Sequence, residues 1–365
     1  MTKLDDLYQV EGQSPWLDNL RRDWIQDGTL AGWVERGVRG VTSNPSIFQK
    51  AIEGQAVYDE QFASLVRGGT SVEDAYWELV ISDITDALAL LRPVHAESDG
   101  IDGYVSVEVA PSLARDTEGT VAAARELHRR IDAPNLYVKI PGTAEGLPAI
   151  ADTIAAGLSV NVTLLFSLER YDGVIEAYLS GLERCDGDLS QVSSVASFFV
   201  SRVDAAVDAA LDKIGTPEAL DLRGRAAVAN AQLAYALFRE RFTGPRWEAL
   251  AARGARVQRP LWASTSTKNP DYPPTLYVDT LIAPDTVNTM PEGTLEDFEA
   301  AGILARTADA DLDGARDVLA AVEALGIDLD AVTERLEVDG VAAFEAAFDD
   351  LLASLRTNAD GLGEG

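Results

Sequence analysis

A lysine stands inside the short apolar run Tyr137-Val138-Lys139-Ile140, which stops at Pro141-Gly142-Thr143. The chain has only five lysines, at positions 3, 50, 139, 213 and 268, and Lys139 is the one flanked on both sides by β-branched apolar residues. A lysine held in a partly dry strand environment loses part of its preference for the ammonium form and becomes a nucleophile able to attack a carbonyl carbon. The same run also reads as a half-exposed strand with a solvated lysine. Its company must decide.

That company comes from other short β runs. Tyr104 to Val109 alternates strictly, so Ser106 and Glu108 share one strand face while Val105, Val107 and Val109 share the other. Leu158 to Thr163 puts Ser159, Asn161 and Thr163 on one face, and Gln191 to Phe198 groups Ser193, Val195 and Ser197. Earlier, Pro15 to Asn19 ends in Asp18-Asn19, and Val38 to Thr42 leads into the turn Ser43-Asn44-Pro45. The first six β runs therefore end near Asp18, Asn44, Glu108, Lys139, Asn161 with Thr163, and Ser197. Each polar residue alone reads equally as a cap or turn residue; together they describe one polar rim. A lysine, two carboxyl groups and carboxamides, with no glycine-rich nucleotide loop, are the inventory for imine chemistry on a carbonyl substrate, with one carboxyl group serving imine formation and another taking a proton from a substrate hydroxyl. Spacing does not divide those roles.

The elements that would build such a rim alternate along the chain. Helical patterns fill Leu20 to Val34, Val57 to Val94, Thr120 to Ile131, Ala144 to Ala156, Ser167 to Arg184, Val200 to Ile214, Glu218 to Phe242 and Trp247 to Ala252. Two further β runs, Pro260 to Ser264 and Thr275 to Leu281, bring the total to eight. No composition break or Gly/Ser linker divides the 365 residues, so the economical reading is one α/β domain, a single (β/α)8 TIM barrel spanning 1–365. A barrel of about 250 residues leaves room for extra helices after the second and sixth strands and for C-terminal helices and tail over 294–365. Thr294, in Thr294-Leu295-Glu296-Asp297, together with Asp311 and Asp328 are the expected helix starts there, and the chain is expected to fray from Asn358. In such barrels the active site lies at the C-terminal ends of the strands.

Composition narrows the chemistry. A formal charge of −30 argues against nucleic acid as a partner, and an anionic substrate could be held only by a local Arg or Lys cluster. The lone Cys185 excludes an internal disulfide, and with only His95 and His128 there is no His/Cys cluster for zinc. Both histidines sit in helical context and are expected to be structural or solvated, which leaves no histidine for a triad. No run of about 18 apolar residues offers a membrane span. The start Met1-Thr2-Lys3-Leu4-Asp5-Asp6 lacks the pattern of a signal peptide, so a cytoplasmic location is expected.

Four segments, Gly40 to Phe48 (GVTSNPSIF), Val138 to Thr143 (VKIPGT), Gly157 to Ser167 (GLSVNVTLLFS) and Trp262 to Lys268 (WASTSTK), resemble transaldolases, in the order that family has them, and the likeness extends from Trp16 to about Thr294. The resemblance implies a cofactor-free transferase of the non-oxidative pentose phosphate pathway. It would move a dihydroxyacetone unit from sedoheptulose 7-phosphate or fructose 6-phosphate to glyceraldehyde 3-phosphate or erythrose 4-phosphate. It further implies Lys139 as the Schiff-base lysine, Glu108 as a proton relay through a water held near Thr163, and Asp18 as the base on the C4 hydroxyl. Asn44 and Asn161, with Ser197 beside them and Ser106 on the same polar face, would bind the dihydroxyacetone unit. Arg202 would bind the phosphate, joined by Ser266 and Lys268 of the loop after the seventh strand. Lys268 departs from the family pattern, in which several members carry arginine; a lysine binds phosphate as a point charge rather than a bidentate fork. Two other readings remain open on sequence: an aldolase that releases free dihydroxyacetone, and a non-catalytic barrel. A monomer and a homodimer both remain open.

Overall fold

The computed structural model describes residues 2–363. Eight parallel strands close into a barrel in chain order: β1 (Gln13–Leu17), β2 (Gly40–Val41), β3 (Tyr104–Glu108), β4 (Leu136–Pro141), β5 (Val160–Leu165), β6 (Ser194–Phe199), β7 (Arg259–Ala263) and β8 (Thr286–Met290), with β8 pairing back onto β1. Helices follow every strand and cover the outside, which makes the chain a (β/α)8 barrel. The supernumerary helices lie between β2 and β3, between β6 and β7, and after β8. Among the described residues, no helix is long and apolar enough to cross a membrane.

Because both faces of an all-parallel barrel are covered, the strands are buried along their whole length and alternation separates a helix-facing side from an interior side. Large rings fill the interior near the strand starts: Tyr104 stacks on Tyr137 with centroids 4.0 Å apart, and Trp16 lies 6.1 Å from Tyr137. Gly40 makes room for them, since a Cβ there would sit 2.4 Å from the Trp16 indole. Two residues further along β4 from Tyr137, the same interior side carries Lys139.

The floor of the barrel is closed by a buried charge network. Asp102, just before β3, accepts hydrogen bonds from Arg259 Nη2 (2.9 Å), Arg39 Nε (2.9 Å), Ser14 Oγ (2.8 Å) and Trp16 Nε1 (3.1 Å). The starts of β1, β2, β3 and β7 are thus tied to one carboxylate. Burial pushes Asp102 upward, but Arg259 and Arg39 more than offset it and hold the group below its ordinary value.

Local signals account for several helix starts. Ser71, Asp311 and Asp328 accept backbone N–H bonds at the starts of their helices, and Ser167 Oγ accepts from Arg170 N at 3.1 Å. Two expectations need correction. The run Thr275 to Leu281 is not the eighth strand: Leu276–Asp279 is a short helix, and β8 is Thr286–Met290. The β-branched and aromatic residues that suggested a strand instead pack sideways, with Tyr277 Oη donating to Asp204 at 2.8 Å, while the true strand is disguised by Asn288, whose side chain is hydrogen-bonded inside the protein. Ahead of β1 lies a helix, Lys3–Gln9, capped by a Thr2/Asp5 capping box. The boundary at 294 falls within the helix Glu292–Ala301, which follows β8 as a barrel helix. Residues 358–363, part of the stretch expected to fray, belong to the helix Leu329–Gly363; residues 364 and 365 lie outside the described residues.

Asp102→Ala would leave Arg259 buried without its counter-charge, and a loss of about 3–5 kcal/mol in urea unfolding is expected. Since the folded pKa of Asp102 is depressed, its contribution is present above the unfolded value and lost as pH falls through the folded one. Wild type should therefore lose stability in acid more steeply than the variant.

Candidate active site

Parallel register sets the centre of the site. Glu108 on β3 pairs with Lys139 on β4, and Lys139 pairs with Asn161 on β5, so three functional side chains lie side by side at one height in the barrel. Lys139 is only 4% exposed. Its Nζ donates to the Ser43 carbonyl oxygen at 3.2 Å and lies 3.2 Å from Glu108 Oε2, an ion pair without hydrogen-bond alignment. Burial raises the pKa of Glu108; Lys139 partly offsets this, and the like charge of Asp18 adds to it.

Around this pair the polar rim assembles. Asn161 Nδ2 donates to Ser106 Oγ at 3.0 Å and its Oδ1 accepts from Ser197 Oγ at 2.7 Å, which orients the carboxamide from both sides. Asn44 caps the helix Pro45–Ile52, its Oδ1 accepting from Ile47 N at 3.0 Å, so the cap reading is correct for the oxygen, and the residue also lines the mouth cavity. Asp18 Oδ1 accepts from Thr42 Oγ1 at 2.7 Å. Burial raises the Asp18 pKa against the lowering effects of Lys139, the Thr42 hydrogen bond, Lys268 and Arg202. Thr163 lies at a register shift in β5, beside Leu164 in the left-handed region at φ 60°. Among the described residues, Thr163 Oγ1 and Glu108 Oε1 have no hydrogen-bond partner although both are buried.

A cavity of about 120 Å³ opens at the C-terminal ends of the strands, lined by Asp18, Asn44, Lys139, Ser197, Arg202, Ser266 and Lys268 among others. Glu108 lies behind it and shares a smaller space with Asn44, whereas Ser106, Asn161 and Thr163 are fully buried and line neither space. Arg202, in the first turn of the helix Ser201–Ile214, has no carboxylate within ion-pair distance among the described residues. Its guanidinium instead lies over Phe199, and burial lowers its pKa. Lys268 Nζ donates to Ser266 Oγ at 2.7 Å; burial of its stem and the like charge of Arg202 lower its pKa. In a chain of charge −30, two cations held next to each other without a carboxylate partner are a place for an anion.

Sequence reasoning missed Thr42, Phe199, Thr289 and Phe344, which also line the cavity. Thr42 and Phe199 were within reach, since each continues the interior side of a strand by one alternation. Thr289 went with the misplaced eighth strand. Phe344 had no signal: it is one apolar position among many in a helix 205 positions beyond Lys139.

Among the described residues, no group of three or more His, Cys, Asp or Glu side chains is arranged to hold a metal ion. The family model described as "Transaldolase/Fructose-6-phosphate aldolase" matches residues 15–355, so the match runs past Thr294 and includes most of the C-terminal helices. Proteins named transaldolase are about half identical to this chain over nearly their whole length. That of Frankia alni is 51% identical over 96% of this chain and 97% of its own, and that of a Parafrankia species is 53% identical over 97% of both. That of Acidothermus cellulolyticus is 53% identical over 94% of both. A closed barrel, a lysine–carboxylate pair at its mouth and a match of this extent place the chain in the transaldolase/fructose-6-phosphate aldolase family.

Proposed function

We propose that the chain is a transaldolase, a transferase that moves a dihydroxyacetone unit from sedoheptulose 7-phosphate or fructose 6-phosphate to glyceraldehyde 3-phosphate or erythrose 4-phosphate in the non-oxidative pentose phosphate pathway. The observation that carries this reading is Lys139 Nζ, buried 3.2 Å from Glu108 at the base of a cavity whose other wall is Asp18. Support for transfer over simple cleavage comes from the relatives, which carry the name transaldolase.

Lys139 Nζ attacks the ketose C2 carbonyl. Loss of water from the resulting carbinolamine gives a protonated imine, and Glu108, with its raised pKa, moves the protons of that step through a water between its free Oε1 and Thr163 Oγ1. Asp18 takes the proton from the C4 hydroxyl, its raised pKa making it a stronger base than a solvated aspartate. The C3–C4 bond then breaks, its electron pair passes to the imine nitrogen, and the shortened aldose leaves. The three-carbon enamine stays bound, its hydroxyls held by Asn44, Asn161 and Ser197, with Ser106 orienting Asn161. An acceptor aldehyde enters, C–C bond formation returns the proton from Asp18 to the new alkoxide, and hydrolysis of the imine frees the product. Arg202, Lys268 and Ser266 bind the phosphate. A phosphorylated sugar does not cross a bilayer unaided, which supports a cytoplasmic location.

Three outcomes test this reading. Borohydride added with fructose 6-phosphate should attach a dihydroxyacetone-derived mass to the peptide containing Lys139, and Lys139→Ala should abolish the adduct; a label found elsewhere sinks the mechanism. Arg202→Ala should raise KM for phosphorylated substrates about 10- to 100-fold, the equivalent of ~1.5–3 kcal/mol from a charge-assisted contact, with kcat changed far less. Asp18→Asn should lower kcat by about 10²- to 10⁴-fold and yet melt at a higher temperature near neutral pH. The raised pKa means that the folded state binds more protons than the unfolded one between the unfolded value of 3.8 and the higher folded value. Wild type therefore loses stability as pH rises through that window, and asparagine does not. Melting curves across pH that superimpose for the two proteins would contradict the assignment.

A further inference from the structure

One wall of the catalytic cavity comes from outside the barrel. The helix Leu329–Gly363 runs over the mouth, and Gly340, Phe344 and Phe348, spaced four apart, turn one face toward it. Gly340 allows a close approach: a Cβ there would lie 3.0 Å from Leu164 Cδ2 and 3.5 Å from Arg202 Nη1. Phe344 is 3% exposed and lines the cavity together with Asp18 and Lys139. Its ring centroid is 5.9 Å from Lys139 Nζ and 6.0 Å from the Arg202 guanidinium carbon. One turn further on, Phe348 packs edge-on against Tyr76, with ring centroids 5.2 Å apart, and lines the smaller space beside Glu108, whereas Leu355, buried two turns beyond it on the same helix, lines neither space.

The chemistry gives that wall a task. After C3–C4 cleavage the enamine carbon holds a nucleophilic electron pair with two fates. It can attack the acceptor's aldehyde carbon, forming a C–C bond while the aldehyde oxygen takes up a proton. Alternatively C3 takes a proton, water adds to the imine carbon, and free dihydroxyacetone departs as the Lys139 amine is restored. The second route needs water and protons at the spot the Phe344 ring covers, and an apolar ring there excludes them. The same ring lies within the roughly 6 Å at which an aromatic face stabilises a cation, here the protonated imine nitrogen.

We propose that Phe344 is the residue that commits the bound three-carbon unit to transfer, by keeping water off the enamine until the acceptor aldehyde arrives. The proposal rests on the transaldolase reading above. It adds a specificity role to a helix that belongs to no strand end, and it makes the C-terminal helix part of the reaction rather than a cover for the barrel.

The test is a partition ratio: free dihydroxyacetone released against sedoheptulose 7-phosphate formed, with fructose 6-phosphate and erythrose 4-phosphate as substrates, in full-length enzyme. Phe344→Ala should raise the ratio about tenfold or more, and Phe344→Leu, which keeps an apolar side chain and carries the measurement if the alanine variant fails to fold, should raise it by less. Leu355→Ala, which removes a buried side chain of the same helix away from both spaces, should lower the melting temperature and leave the ratio at the wild-type value. Borohydride trapping at Lys139 is followed in every variant and should persist in all. Wild-type ratios in both Phe344 variants would overturn the proposal, as would a Leu355→Ala shift as large as that of Phe344→Ala, which would mark a loosened helix rather than one ring. Absence of trapping at Lys139 in the unsubstituted enzyme would overturn the Schiff-base reading itself, an outcome separate from any change in the ratio.

Discussion

Glu108 and Lys139 face each other across one step of the β3–β4 ladder, and the rest of the molecule is arranged so that this pair can exist in a nearly dry place. Burying two opposite charges costs several kcal/mol per ion, which their mutual attraction offsets only with good geometry and further hydrogen bonds. Here the register fixes their height, the Ser43 carbonyl oxygen accepts from Nζ, and the Asn161 carboxamide is held beside them by Ser106 and Ser197. A one-residue slip of either strand would turn one of the charges toward the covering helices. Closure of the barrel, which gives every strand two fixed neighbours, forbids that slip.

The two ends of the barrel hold their charged groups differently. At the floor, Asp102 has four donors, and Arg39 and Arg259 are both paired with it. At the mouth, buried oxygens of Glu108 and Thr163 stay without partners among the described residues, and two non-glycine residues, Leu164 and Ser264, adopt left-handed backbone. Unpartnered buried oxygens also occur at the strand starts, on Gln13, Asn135 and Gln258, and Asp99, Asp132 and Asp285 are left-handed near there, so it is the place of the Glu108 and Thr163 oxygens near Lys139, and not their lack of partners alone, that fits them to the reaction. The Asp102 network ties the strand starts together beneath that mouth.

Charge follows a similar division. Most arginines form ion pairs at the surface, such as Arg246 with Glu176 and Glu183, and these contribute little individually. Arg202 is different because, among the described residues, no carboxylate lies within ion-pair distance of it, so a phosphate entering against the field of a −30 chain meets a local cation that is already partly desolvated. The aromatic rings of Phe199 and Phe344 keep that guanidinium packed without neutralising it.

Much of this was legible in the residues alone, because strand alternation is a local rule. Parity put Ser106 with Glu108 and Asn161 with Thr163, and the polar ends of six runs pointed to a single rim, from which the barrel and imine chemistry follow. What local rules could not reach is what depends on residues distant in the chain. Thr275 to Leu281 has strand composition but became a helix because Tyr277 found Asp204, whereas Thr286 to Met290 became a strand because β1 and β7 left a gap that only it could close. Phe344 entered the site only because one helix lies across the mouth and Gly340 lets its backbone come close to Leu164 and Arg202. Side-chain types and their period are written in the sequence; which distant surface closes over them is set by packing, and only the folded chain contains that information.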